Sequence, residues 1–191
     1  MRRNKSIQKL ALTALLTALV IVLQLLGQFI RFGIFSVSLV LVPIVLGAAL
    51  LGPAAATWLG TVFGIVVLLQ PDTQAFLSIS IPGTVVTVLL KGALCGLAAG
   101  LVFFLLKKKN VYLACAAAAV VCPIVNTGIF LVGCLVFFLP TITAWGAAAG
   151  FASTAEYMIV GFVGLNFLAE LAFNIVLTPA IIRLINLRKQ N

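Results

Sequence analysis

The chain has 191 residues, 64% of them hydrophobic and only 8% charged, with a mean hydropathy of +1.32. Soluble domains carry about 25% charge, so a water-facing fold is excluded, and the length fits a single domain over residues 1–191. The net charge of +9 would suit nucleic acid, but ten of the twelve Lys and Arg sit in three short clusters without interleaved aromatic residues, which points to anchoring beside a bilayer and to no nucleic-acid partner.

Apolar runs of about 18 residues or more read as helices crossing ~30 Å of hydrocarbon. These runs are apolar on every side, unlike the alternating strands of a membrane barrel. The first span is expected over 7–30, behind the basic Arg2, Arg3, Lys5 and Lys9. Its start resembles a signal peptide, but the run is too long and lacks a small-x-small cleavage site, so a retained helix is expected. A turn at 31–36 leads to a shorter second span, 37–51. Gly52-Pro53 breaks it, and the third span continues to residue 69. Residues 70–83, QPDTQAFLSISIPG, read as a polar, Pro-flanked loop with Asp72 at its tip. The fourth span, 84–106, ends at Lys107 to Lys109, and the fifth covers 111–139. A loop at 140–153 precedes a long sixth span reaching residue 187, close to Arg183, Arg188 and Lys189. The expected fold is an all-α integral membrane protein, a bundle of six transmembrane helices. An even number of spans puts all three basic clusters, and both termini, on the cytoplasmic side.

Small residues four apart mark helix contacts in lipid, where close approach replaces the hydrophobic effect as the driving force. Gly52, Ala56, Gly60 and Gly64 form such a row on the third span, and Gly92, Gly96 and Gly100 on the fourth. Both read first as packing within the bundle. Cys95, Cys115, Cys122 and Cys134 lie in apolar runs without CxxC spacing, and the chain has no histidine, so they read as small packing residues. No internal repeat is visible.

Polar groups at membrane depth are costly, so those present are the functional candidates. Lys91 stands among Leu and Gly, sixteen residues before Lys107. That is ~24 Å along a helix, too far to snorkel, so Lys91 must face protein, water or an anion. On the sixth span Asn166, Glu170 and Asn174 are four apart, and Glu156 precedes Glu170 by fourteen; on a regular helix all four fall within about 80°. Asn126 on the fifth span, and Gln24, Gln28 and Arg31 at the end of the first, add further polar groups. Together they suggest an externally open cavity for a small polar molecule. The plainer alternatives are that Lys91 and Glu170 neutralise each other, and that Arg31 anchors at the interface. Trp145 and Tyr157 read as residues of the interfacial aromatic belt. The chain has no Walker A, HExxH or GxSxG motif and only three acidic residues, so neither an enzyme nor a bound cofactor or metal is expected.

Several stretches together resemble the substrate-binding subunits, or S components, of energy-coupling factor (ECF) vitamin transporters. They are KLALTALLTALVIV in the first span, VSLVLVPIVLGAALLGP, PIVNTG around Asn126, and GLNFLAELAFNIVLTPAIIRLI in the sixth. The resemblance covers essentially the whole chain. It implies capture of a micronutrient from outside, with a separate transmembrane coupling subunit and two ATPase subunits supplying the energy in a bacterial cell membrane. It further implies that Ala14 and Ala18 are the AxxxA pair on which the coupling subunit docks, and that the bound subunit topples to release its cargo. Lys91, Asn126, Asn166 and Glu170 would line the pocket, with 70–83 closing over it. Lys91 and Arg31 favour an anionic vitamin such as pantothenate over cationic thiamine, and few aromatic residues near the site argue against a large flat ring such as riboflavin. The competing readings are a self-sufficient small transporter and a structural or assembly membrane protein without ligand.

Overall fold

The computed structural model describes residues 2–29, 31–32, 35–36 and 38–190, with side chains placed in these except 2–5, 31–32, 35–36, 162, 165 and 186–190. In chain order the elements are α1 (Arg2–Gly27), a two-residue antiparallel pair β1 (Arg31–Phe32) and β2 (Phe35–Ser36), α2 (Leu41–Leu51) and α3 (Pro53–Leu68). Then come α4 (Pro71–Leu77), α5 (Ile81–Leu106), α6 (Val111–Phe137) and α7 (Leu139–Ala148). A single turn α8 (Thr154–Glu156), a π-helical segment π1 (Tyr157–Val163) and α9 (Gly164–Gln190) complete the chain.

Among the described residues, four helical stretches are long and apolar enough to cross a membrane, or five if α3 and α4, bent by 77° at Leu69 and Gln70, count as one broken span. The second expected span is the eleven-residue α2. At 1.5 Å per residue it is only ~16 Å long, short of the hydrocarbon thickness. Large side chains such as Leu10, Leu105, Ile159 and Val176 remain exposed on the outside, as a lipid-facing surface requires.

Both expected loops contain helix. Residues 70–83 hold α4 and the start of α5, and 140–153 hold most of α7. The reason is proline. It lies in the first two positions of α3, α4, α5 and α7. There its missing N–H would have had no partner in any case and its fixed φ suits the helix, so it starts these segments instead of breaking them. The corner between α2 and α3 does need glycine: Gly52 has φ +100° and ψ −177°, and its N–H reaches the carbonyls of Gly47 and Ala48 at 3.2 Å.

The two glycine rows meet. A Cβ on Gly60 would fall on the Gly92 carbonyl, one on Gly96 on the Ala56 carbonyl, and one on Gly64 would lie 2.8 Å from the Val88 oxygen. α3 and α5 therefore touch backbone to backbone, which only these small residues permit. Two apolar clusters flank the bundle interior. One gathers Leu16, Ile44, Leu59, Phe63, Cys95, Ala118 and Ile181, and the other Phe76, Cys134, Phe138, Ile142 and Tyr157. All four cysteines are buried and free, as packing residues should be.

Tyr157 is not an interfacial belt residue. It is 4% exposed, with its ring 5.2 Å from that of Phe151, and Trp145 packs edge-on against Phe76 at 5.7 Å. Glu156 leaves the expected polar stripe. Its carboxylate is exposed and accepts the Ala152 N–H at 3.1 Å. The π-helical turns between it and α9 add residues per turn, so the 100° spacing that would align it with Glu170 does not hold across 157–163.

Candidate substrate site

A cavity of about 100 Å³ lies between the two apolar clusters, with members of both, Val67 and Val88 on one side and Phe76 and Phe138 on the other, in its wall. It has room for several waters or a small polar solute. Four of the sequence-derived candidates line it: Lys91 from α5, Asn126 from α6, and Asn166 and Glu170 from α9. The fifth, Arg31, lies on β1 opposite Ser36, and its side chain lies outside the described residues. Ala14 and Ala18 are away from the cavity, on the exposed side of α1.

Each candidate has a local reason for its place. On α5, Thr84, Thr87 and Lys91 recur every three or four residues, so they share one face, and all three line the cavity. On α9, Asn166 and Glu170 share a face in the same way. The stripe then divides. Asn174 Nδ2 donates to the Glu170 backbone carbonyl at 2.9 Å and the Thr178 hydroxyl to the Asn174 carbonyl at 2.8 Å, so these donors turn back onto their own helix, and among the described residues Asn174 Oδ1 has no hydrogen-bond partner.

Lys91 and Glu170 do not form a direct ion pair among the described residues. The Lys91 ammonium lies over two phenyl rings, 5.5 Å from the centre of Phe63 and 5.3 Å from that of Phe130. Both separations fall inside the ~6 Å range of cation–π attraction. The opposite charges acting on it are Glu170 first and Asp72 at longer range. Glu170 instead accepts the backbone N–H of Ser38 at 2.9 Å, and the Ser38 hydroxyl and the Asn126 amide lie beside the same carboxyl. This bond joins α9 to the segment just before α2.

Gln24, one of the polar groups expected at the end of the first span, also lines the cavity, and several further wall residues were not among the candidates. Gln70 and Gln24 form a reciprocal clamp: Gln24 Nε2 donates to Gln70 Oε1 at 2.9 Å, and Gln70 Nε2 to the Gln24 carbonyl at 3.0 Å. The clamp ties the bend between α3 and α4 to the end of α1. Thr73 is anchored by its hydroxyl to the Val67 carbonyl at 2.7 Å. The i, i+3, i+7 spacing of Thr84, Thr87 and Lys91 is visible in the sequence and could have found two of them. Phe76, Phe130, Phe138 and Phe167 also line the cavity, so its wall is aromatic, contrary to the expectation that aromatic residues would be few.

These features define a multi-pass α-helical membrane protein with a cavity among its helices whose largely apolar, aromatic wall carries a cluster of polar and charged side chains. Residues 8–182 match the family of ECF transporter substrate-specific components, and the chain belongs to that family. Its members bind substrate for transport and associate with the subunits of the energising module. No curated relative and no solved structure matches the chain at a significant level.

Proposed function

We propose that this chain captures a small, anionic, water-soluble micronutrient in the cavity around Lys91 and presents it to an ECF module of one transmembrane coupling subunit and two ATPase subunits. In this reading it sits in a bacterial cell membrane, crosses it six times with α2 as the short second crossing, and keeps both termini and Lys107 to Lys109 in the cytoplasm. The observation that carries the proposal is the meeting of Lys91, Asn126, Asn166 and Glu170, from three different helices, on one cavity wall. Lys91 is the ligand's counter-charge. Glu170 is already bonded to Ser38, and among the described residues the ammonium is held by two aromatic faces and by charge at longer range. Arg31, on the turn between α1 and α2, is the second cation available to an acid. Pantothenate, a carboxylate with hydroxyl and amide groups, is the vitamin this chemistry favours. The phenyl rings of the wall suit the apolar parts of such a ligand.

Native mass spectrometry of the purified chain tests the proposal. One small molecule should be retained per chain, and Lys91→Ala should lose it while keeping the helical circular dichroism of the parent. Retention undiminished in Lys91→Ala would remove the counter-ion role. No retained molecule and no binding of pantothenate would remove the capture reading.

A further inference from the structure

We infer that Gln24, Thr87 and Asn126, one residue each from α1, α5 and α6, form an acceptor set that reads N–H and O–H groups on the captured compound, while Lys91 takes its acidic group. This rests on the capture reading and narrows it to a class: acids that also carry at least two hydroxyl, amino or ring N–H donors.

The three residues line the cavity and are 2%, 4% and 5% exposed. Among the described residues, one buried oxygen in each lacks a hydrogen-bond partner: Gln24 Oε1, Thr87 Oγ1 and Asn126 Oδ1. Folded proteins leave few such atoms unmet, so three from separate helices around one cavity call for an explanation. Simple misorientation of the amides is not it. Gln70 Nε2 donates to the Gln24 carbonyl, so Gln70 Oε1 must be the end that receives Gln24 Nε2, and Gln24 Oε1 is left over. The Asn126 amide lies against the Glu170 carboxylate, an acceptor, so its N–H end belongs there and its oxygen does not. Thr87 is one helical turn before Lys91 on the same face of α5, which brings an acceptor and the cation within reach of one small molecule. A ligand made only of acceptors could take the Thr87 O–H but would leave the two amide oxygens, Gln24 Oε1 and Asn126 Oδ1, buried and unmet. The site therefore rejects such a ligand by desolvation rather than by shape.

Thr87→Val is the sharpest test, because it keeps the side-chain shape and removes an oxygen that no protein group uses. Full-length parent and variant are purified in detergent, the copurified compound is identified by native mass spectrometry, and both are stripped. They are then titrated calorimetrically with pantothenate and, where a different compound copurifies, with that compound. The retained compound should carry at least two N–H or O–H donors. Thr87→Val should bind it roughly tenfold more weakly, the loss of one hydrogen bond, while the stripped variant unfolds at a temperature no lower than the parent. A retained compound without donors, or parental affinity in Thr87→Val, would overturn the acceptor set and leave capture standing. A chain that retains nothing and gives no heat with pantothenate would overturn both.

Discussion

Glu170 shows how far a single residue can be read from sequence. Its spacing from Asn166 places both on one face of α9, and both do line the cavity. Its partner was not legible. A backbone N–H at Ser38, 132 positions away, carries no side-chain signature, so the sequence offered only Lys91 as the obvious mate. The consequence for stability is specific. Glu170→Ala should lose about 1.5–3 kcal/mol, the worth of a hydrogen bond to a charged group. Glu170→Gln should lose much less, since its amide oxygen still accepts from Ser38. Thermal unfolding in detergent separates the two, and equal losses would mean that the bond to Ser38 contributes little. Lys91 was legible for the opposite reason: a lone cation deep in an apolar helix needs a purpose wherever its neighbours lie.

At the level of elements, the glycine rows were the most readable feature and the proline positions the most misleading. Rows at i, i+4, i+8 announce a close helix crossing whatever the rest of the fold, and α3 and α5 make that crossing. Gly60→Ala should therefore push the helices apart at a cost of about 1–3 kcal/mol, as overpacking does. Gly128→Ala on α6 is the control, since a Cβ there meets nothing within 4 Å. The pair should differ clearly in unfolding temperature; similar values would show that the α3–α5 contact is not tight. Proline near residues 71, 82 and 140 looked like punctuation because it lacks the N–H a helix interior uses, yet it opens a helix readily, and α6 and α9 even run through Pro123 and Pro179. Only flanking context separates the two roles. The π-helical segment had no visible cue either, and it removed Glu156 from a stripe that ideal helical arithmetic had drawn through it.

For the whole molecule, membrane class was open to a reader of composition, and the family to a reader of the stretches in the first, second, fifth and sixth spans, whereas the depth of individual crossings was not. The apolar run at 37–51 announced a second segment, but not that its helix, α2, has only eleven residues. The exposed side of α1 carries Ala14 and Ala18 four apart, a strip on which another helix could lie closely. Ala14→Trp should block copurification with the coupling complex while leaving ligand retention at the parental level, and unchanged assembly would take that role from α1. The shortness of α2 has a different consequence. None of its residues is fully exposed and only Val42, Leu46, Ala49, Leu50 and Leu51 are partly so, so its own chain covers most of it. Bilayer thickness acts chiefly on the longer, more exposed helices. The Ser38 edge of the cavity, mounted on a largely covered helix, should hold its position as the surrounding lipid is exchanged. Ligand retention is accordingly expected to stay level across vesicles of graded chain length, and a steep dependence would mean that mechanical stress from the lipid reaches the site after all.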